Sequence, residues 1–390
     1  MTSYDVVIVG GGPSGLAFAR ALDGSGLRVA IVERQSRDAL ARPPSDGRDI
    51  ALTHRSANIL RALGAWGAID PADISPLVMA KVSNGASSFA LTFDTEGTRE
   101  ERFGWLVPNH RIREALFGVT EGQSGLDLLS GETVQMIRPT PRGRLVELAS
   151  GATLHARLLI AADSRFSTTR DQLGIPADIS RLGRSMLVCR VAHDDHHHGV
   201  ATEWFDYRQT IALLPLNGRK SSFVLTLPSA EIDRLARLDD GMLARELTRR
   251  YRHRLGALTL VDAPKVYPLA TTWARRFATG RAALIGDAAV GMHPVTAHGF
   301  NLGLMGAATL AELVTQAAAG GRDIGSDRLL RRYDIDHRRA SWPIYAATNA
   351  IVRLYTARDP AARIARAAGL RVAARGPVIR RAVSGLLMRH

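Results

Sequence analysis

The chain has 390 residues, is 46% hydrophobic, and carries 51 Lys and Arg against 37 Asp and Glu, a formal net charge of +14. That length and apolar content can bury a substantial core in two or three domains, which excludes a disordered or fibrous chain. The single cysteine, Cys189, excludes an intramolecular disulfide framework, a CxxC redox pair and a thiolate zinc site, and suits a reducing cytosol. Nearly all the basic residues are arginine, a balance that favours nucleic acid, anionic lipid or an acidic partner, though an arginine-biased genome produces it too. No zinc finger, RNP motif or long basic run is present, so nucleic acid is not an expected partner. No basic segment precedes the first apolar run, so no signal peptide is expected. No apolar stretch is expected to reach the ~20 residues that cross a bilayer, which leaves peripheral membrane contact.

In chain order, Asp5 to Val9 is a short, nearly unbroken β-branched run that predicts a buried parallel strand, closed by the turn Gly10-Gly11-Gly12. A helix follows from about Pro13, with Leu16, Ala17, Ala21 and Leu22 on one face and Gly15 allowing close approach to the strand. Arg28 to Glu33 supplies a second parallel strand. Gly10, Gly12 and Gly15 fit GxGxxG in this strand–turn–helix setting, and Glu33 lies where a carboxylate holds the ribose hydroxyls of an adenosine. The turn and helix start, including Pro13 and Ser14, would seat a pyrophosphate, with Arg34 beside the acid. This pattern reads as dinucleotide binding and does not separate NAD from FAD.

Residues 35–48 are polar, with Pro43-Pro44 and Asp46-Gly47, and predict a loop ending at Arg48. A short strand, Ile50 to Thr53, and a helix, Ser56 to Leu63, closed by Gly64, come next. Val78 to Phe93 changes to a β pattern with a turn at Asn84-Gly85, an excursion into a second domain. A helix from Asn109 to Phe117 returns to the first, followed by strands near Val134 to Ile137, Leu145 to Leu148 and Leu154 to Ala162. The last runs into Asp163, whose carboxylate either points into the ligand crevice of an open α/β sheet or caps the next helix. Met186 to Val191, Ala201 to Phe205, Ile211 to Leu216 and Ser222 to Leu227 predict four consecutive antiparallel strands. His196-His197-His198 reads as a solvated loop, and no metal site is expected.

Gly280 to Phe300 is the second decisive stretch: a strand, Ala282 to Ile285, enters Gly286-Asp287, and a long helix starts near Gly299. The positive end of that helix favours a ligand with partial negative charge, such as the N1–C2=O2 edge of a reduced isoalloxazine. A further long helix is predicted from Ser326 toward Tyr355, bent near Pro343. Beyond it, Asp359 to His390 is rich in arginine, and Val378, Ile379, Ala382, Val383, Leu386 and Leu387 form one apolar stripe. The stripe suits an interfacial membrane helix or packing on protein.

These motifs together resemble the class A flavoprotein aromatic monooxygenases, which have a Rossmann-like FAD-binding domain of glutathione-reductase type and an antiparallel β-sheet substrate domain. Within that group the chain is most similar to the ubiquinone-biosynthesis hydroxylases of the UbiH, UbiF and VisC kind, above all the UbiM branch, a 5-demethoxyubiquinol hydroxylase. Asp46-Gly47-Arg48-Asp49-Ile50-Ala51-Leu52 looks like the DGRxxAL segment of these proteins, Val107-Pro108-Asn109 like their VEN segment, and Ala201 to Leu216 like the strand pair ending in ALLPL. The resemblance covers roughly residues 4–320. It departs from the usual pattern at Ser164, Val290, Ala297-His298 and Gly306, where the relatives carry glycine, histidine, Gly-Gln and aspartate, while Pro294, Gly299 and Asn301 keep their places and Phe300 beside them is a further candidate cofactor contact.

The resemblance implies FAD as cofactor and NAD(P)H as candidate electron donor. It also implies a reaction in which a C4a-hydroperoxyflavin hydroxylates a lipophilic phenol or demethoxyquinol with O2. It assigns Glu33 to the ribose, Asp287 to the ribityl or pyrophosphate segment, Arg48, Asn109 and, beside it, Arg111 to the flavin, and Asp163 to the region of flavin and reductant. His298 is a weak catalytic candidate, and its alternative is a neutral hydrogen-bonding histidine in place of the amide. The implied domains are 1–74, 100–184 and 270–325 for FAD, 75–99 and 185–269 for substrate, and a basic helical region, 326–390. A cytoplasmic enzyme is implied, peripheral on the inner face of the membrane or in contact with a ubiquinone-biosynthesis complex; no oligomeric state follows. The alternatives are a hydroxylase of another phenol, an FAD-dependent isoprenoid reductase and a noncatalytic lipid-escort protein.

Overall fold

The computed structural model describes residues 1–85, 90–96, 100–206 and 209–356. The β-branched N-terminal run becomes strand Thr2–Val9, and its unbroken hydrophobicity follows from its position: Val29–Glu33 and Thr153–Ala161 flank it, both in parallel register. Val6, Val7 and Ile8 are wholly buried. Leu126–Ser130 extends the sheet beyond Val29–Glu33, and Ala282–Leu284 extends it beyond Thr153–Ala161, again in parallel. Hydropathy does not mark Leu126–Ser130, because at the sheet edge its side chains are only partly covered. An antiparallel hairpin, Val134–Thr140 and Gly143–Leu148, pairs with the first half of Thr153–Ala161.

Helix Pro13–Ala21 packs against both Asn109–Thr120 and Gly299–Ala319. By length and composition Gly299–Ala319 could cross a membrane, which corrects the expectation that no such stretch exists. More than half of its apolar window is nevertheless buried inside the fold, as in a core helix. The segment expected as a loop over 35–48 contains helix Arg37–Ala41, because the Ser36 hydroxyl accepts the Ala39 N–H and caps it.

Among the described residues the second sheet has nine strands, and their order in space is not their order in the chain. Lys220–Pro228 lies between Ala177–His193 and Gln209–Leu216, so the first and fourth expected strands are neighbours rather than the first and second. Val200–Asp206 pairs with Gln209–Leu216 on one edge and, in parallel, with Met79–Asn84 on the other. The first strand has no edge left for it, since Ala177–His193 bonds Lys265–Ala274 along its other side. One face of this sheet buries Leu187, Cys189, Trp204, Phe223 and Leu225 under helices Ser229–Leu235 and Asp240–Arg250, through Ile232, Leu243 and Leu247. Burial pushes the Cys189 thiol up to about 12, so it is an inert core residue. A small antiparallel sheet of Asp49–Leu52, Gly104–Pro108 and Ser75–Leu77 completes the fold.

The long helix Asp327–Thr356 contains Pro343 and packs on Gly299–Ala319. At the contact, a Cβ on Gly306 would come within 2.5 Å of His337 Nε2, which gives a steric reason for glycine at a position where the resemblance leads one to expect aspartate. Burial pushes His337 down to about 4, so the ring is neutral, and it stacks on Tyr333 at 5.6 Å. The arginine-rich segment expected as an interfacial helix, residues 376–390, lies outside the described residues.

Candidate active site

The glycine turn is fixed by close backbone approach. Gly10 adopts φ +110°, and a Cβ there would meet the Ala162 carbonyl oxygen at 2.6 Å. Gly15 faces the Gly10 carbonyl oxygen so closely that a Cβ would fall well inside van der Waals contact. Gly12 caps helix Pro13–Ala21 without any side-chain acceptor, and open space lies where its side chain would be. Pro13 stands in the first turn, where its missing N–H is not needed. The result is a helix start with uncapped N–H groups beside open space, the chemistry of an anion seat. At the end of the neighbouring strand, Glu33 accepts the Gly11 N–H at 2.6 Å and the Gln35 N–H at 2.8 Å, which holds its carboxylate beside the turn. Arg34 is exposed.

The second motif converges on the same turn. A Cβ on Gly286 would lie 2.7 Å from Ser14 Oγ, and one on Gly303 would lie 2.9 Å from it, so the strand end after Leu284 and helix Gly299–Ala319 both abut the first helix. Asp287, on the turn Gly286–Ala288, accepts Nη2 and Nε of Arg165 at 2.9 and 3.2 Å. Asn301 accepts the Thr53 N–H at 3.1 Å and donates to the Ala51 carbonyl at 2.8 Å and the Ala297 carbonyl at 3.0 Å, tying the helix start to strand Asp49–Leu52. Pro294 opens the turn Pro294–Thr296, and Ala297 then takes the left-handed conformation, φ 53°. Buried His298 precedes Gly299, and its Nδ1 meets the Thr296 carbonyl, while Phe300 packs half-buried on the core.

Asp163 accepts the Ser167 hydroxyl at 2.5 Å and the Thr169 N–H at 3.3 Å. The N-cap of helix Thr168–Gln172 is Ser167, whose hydroxyl accepts the Arg170 N–H at 2.8 Å, so Asp163 braces the helix entry without being its cap.

A third group gathers on the loop before Asp49. Asp46 accepts Arg48 Nη2 at 2.6 Å and Nε at 3.0 Å, together with Asn109 Nδ2 at 2.7 Å. Burial alone would raise the Asp46 carboxyl, but the Arg48 guanidinium and these hydrogen bonds outweigh it and hold it below the usual carboxylate range. Tyr267 donates to the Asp46 carbonyl at 2.6 Å, and its ring lies 5.4 Å under the Arg48 guanidinium. Arg111 is not joined to this group: its guanidinium meets Asp73 at 2.8 Å and Glu114 at 2.9 Å. Asp46, Tyr267 and Arg165 join the candidate site through their contacts with Arg48, Asn109 and Asp287, and sequence reasoning missed them. Asp46 stands in the quoted DGR segment, whereas Tyr267 and Arg165 carry no local signal. Arg48→Lys is expected to cut turnover about tenfold, the loss of one charge-assisted hydrogen bond, because lysine lacks the planar fork. Stability should change by less than about 1 kcal/mol at this half-exposed pair. Steady-state kinetics beside thermal unfolding checks both.

These residues fit FAD: an uncapped helix start beside open space for a pyrophosphate, a carboxylate at the adjoining strand end, and a second helix start and acid converging on the same turn. The profile described as FAD binding domain matches residues 3–348. The chain is 41% identical to the ubiquinone hydroxylase UbiM of Neisseria meningitidis, over 97% of this chain and 83% of that protein. It is 32% identical to the ubiquinone hydroxylase UbiL of Rhodospirillum rubrum, over 99% of this chain and 89% of that one. The crystal structure of p-nitrophenol 4-monooxygenase PnpA from Pseudomonas putida superposes with a TM-score of 0.79 over 100% of this chain and 99% of that chain, at 21% identity, and so has the same fold. Fold and site define a class A FAD-dependent monooxygenase. More narrowly, the chain belongs to the FAD binding domain family and, within it, to the ubiquinone hydroxylases.

Proposed function

We propose that this enzyme hydroxylates the ring of a polyprenyl phenol or demethoxyquinol in ubiquinone biosynthesis, using O2 and NAD(P)H. The observation that carries the reading is 41% identity to a ubiquinone hydroxylase along nearly the whole chain, with the FAD cradle intact. Gly10, Gly12, Pro13, Ser14 and Gly15 would seat the pyrophosphate, Glu33 the ribose, and Asp287, Pro294, Gly299, Phe300 and Asn301 the remainder of the cofactor. Arg48 and Asn109 would meet the flavin from the loop side, with Asp163 nearby. FAD supplies the redox and oxygen chemistry when bound. The chain's own part is to hold the ring in place and keep water out, which the apolar strands of the second sheet suit.

The domain limits follow the same reading: 1–74, 100–184 and 270–325 for FAD, 75–99 and 185–269 for substrate. On the same reading the enzyme works in the cytoplasm, peripherally at the inner face of the membrane where a long prenyl chain resides, and cell fractionation checks this. The deciding experiment is complementation of ubiquinone-deficient cells blocked at each ring hydroxylation in turn, with 18O2 labelling of the product. Restored ubiquinone that carries one labelled oxygen more than the intermediate accumulated by the blocked cells supports the reading; restoration of none of the blocks sinks it. Product without label would favour the isoprenoid reductase instead.

A further inference from the structure

Strand Val200–Asp206 places one carboxyl on the inner face of the nine-stranded sheet. Trp204 is fully buried in the outer core, so its neighbour Glu203 projects to the opposite face, together with Ala201. In register, Glu203 lies between Val82 and Ala212, and the same row continues through Val224 and Val188. Farther along this face stand Arg190 and Tyr267, which bond Asp49 and the Asp46 carbonyl on the loop that carries Arg48. The face bearing Glu203 is therefore the one turned toward the cofactor cradle.

Glu203 as a residue keeps part of its surface accessible while protein encloses its carboxyl, as a side chain lining a crevice does. Burial pushes it up to about 8, and no described cation or hydrogen-bond donor offsets that. An unpartnered carboxyl in an apolar wall is costly for the fold alone, which makes a ligand contact the more economical explanation.

Resting on the hydroxylase reading above, we propose that Glu203 is the specificity-determining contact of the substrate ring, its carboxyl hydrogen-bonding the ring hydroxyl while Val82, Ala212 and Val224 meet the ring's apolar surface. The carboxylic acid both donates and accepts, so it matches a neutral phenol without burying net charge. Once ionised, it would be covered by the ring at a desolvation cost, so affinity falls as the pH rises through about 8.

The test uses the FAD-loaded enzyme, with 2-prenylphenol and its methyl ether as probes and calorimetry as readout. The wild type should prefer the phenol by about tenfold or more, since a site built for a hydroxyl rejects the analogue lacking it. Glu203→Leu should lose that preference with FAD content and ether binding unchanged. Glu203→Gln should keep most of the preference and lose the decline above pH 8; if the leucine variant does not fold, this pH profile decides. An unchanged phenol-to-ether ratio in Glu203→Leu, or a wild-type pH profile in Glu203→Gln, overturns the assignment. If the wild type hydroxylates the phenol under those outcomes, only the role of Glu203 falls; if it neither binds nor hydroxylates the phenol, the functional reading falls and takes this assignment with it.

Discussion

Gly15→Ala is expected to empty the enzyme of FAD. The added methyl would be driven into the Gly10 carbonyl oxygen, and the Ala162 side chain closes the other flank at 3.4 Å. The main obstacle is backbone, held between two parallel strands, so no side chain can swing aside to relieve it. Overpacking of this kind costs about 3 kcal/mol, and the chain can lessen it only by lifting the helix start away from the turn. That movement removes the N–H groups from the pyrophosphate, so affinity for FAD should fall by about two orders of magnitude. Absorbance of the purified variant titrated with FAD reads this directly. Retention of FAD at the wild-type level would mean that the pyrophosphate does not rest on this helix.

Arg190→Met should be the most damaging change away from the cradle. Asp49 Oδ1 accepts Arg190 Nη2 at 2.7 Å, and the Asp49 side chain has no exposed surface. Burial raises the Asp49 carboxyl even with Arg190 and Ser222 pulling the other way. Without the guanidinium the carboxylate is left buried and uncompensated, at a cost of about 3 kcal/mol near neutral pH. Losing Arg190 raises the folded-state pKa further above the unfolded value. The penalty is therefore full above the folded pKa, shrinks as the pH falls through it, and is gone below the unfolded value near ~4. Urea unfolding of both proteins at neutral and acidic pH should show the gap narrowing on acidification. A gap independent of pH would assign the effect to lost packing of the arginine stem rather than to the Asp49 charge.

The Asp46 loop, next to that pair, shows why the site was only partly legible in the sequence. Arg48 and Asn109 could be picked out because they stand in short segments with a known likeness, yet nothing local says that both meet Asp46. Arg111 was drawn in by its nearness to Asn109 along the chain, and the structure turns it to Glu114 on the same helix and to Asp73 on the turn Pro71–Asp73. Asp163 illustrates a different ambiguity: a carboxylate at a strand end suits both a ligand and a helix cap, and in this structure Ser167 is the cap while Asp163 bonds the Ser167 hydroxyl and the Thr169 N–H.

The sequence by itself determined the cradle, because strand, turn, helix and Glu33 lie within some thirty consecutive residues and each is set by local conformational rules. It also marked the buried strands Thr2–Val9, Val29–Glu33 and Thr153–Ala161 and the two helices after Gly299 and Ser326, but not Lys265–Ala274, whose second half is buried in the second sheet. The tertiary structure alone decided which strands are neighbours, because alternation fixes the two faces of a strand but not the partner at either edge. It alone brought Arg165 to Asp287 across 122 residues and Arg190 to Asp49 across 141, pairings that no spacing rule reaches. For Glu203 the chain marked only a strand, and that its face looks toward the cofactor side follows from Arg190 reaching Asp49 and Tyr267 reaching the Asp46 carbonyl from the same face.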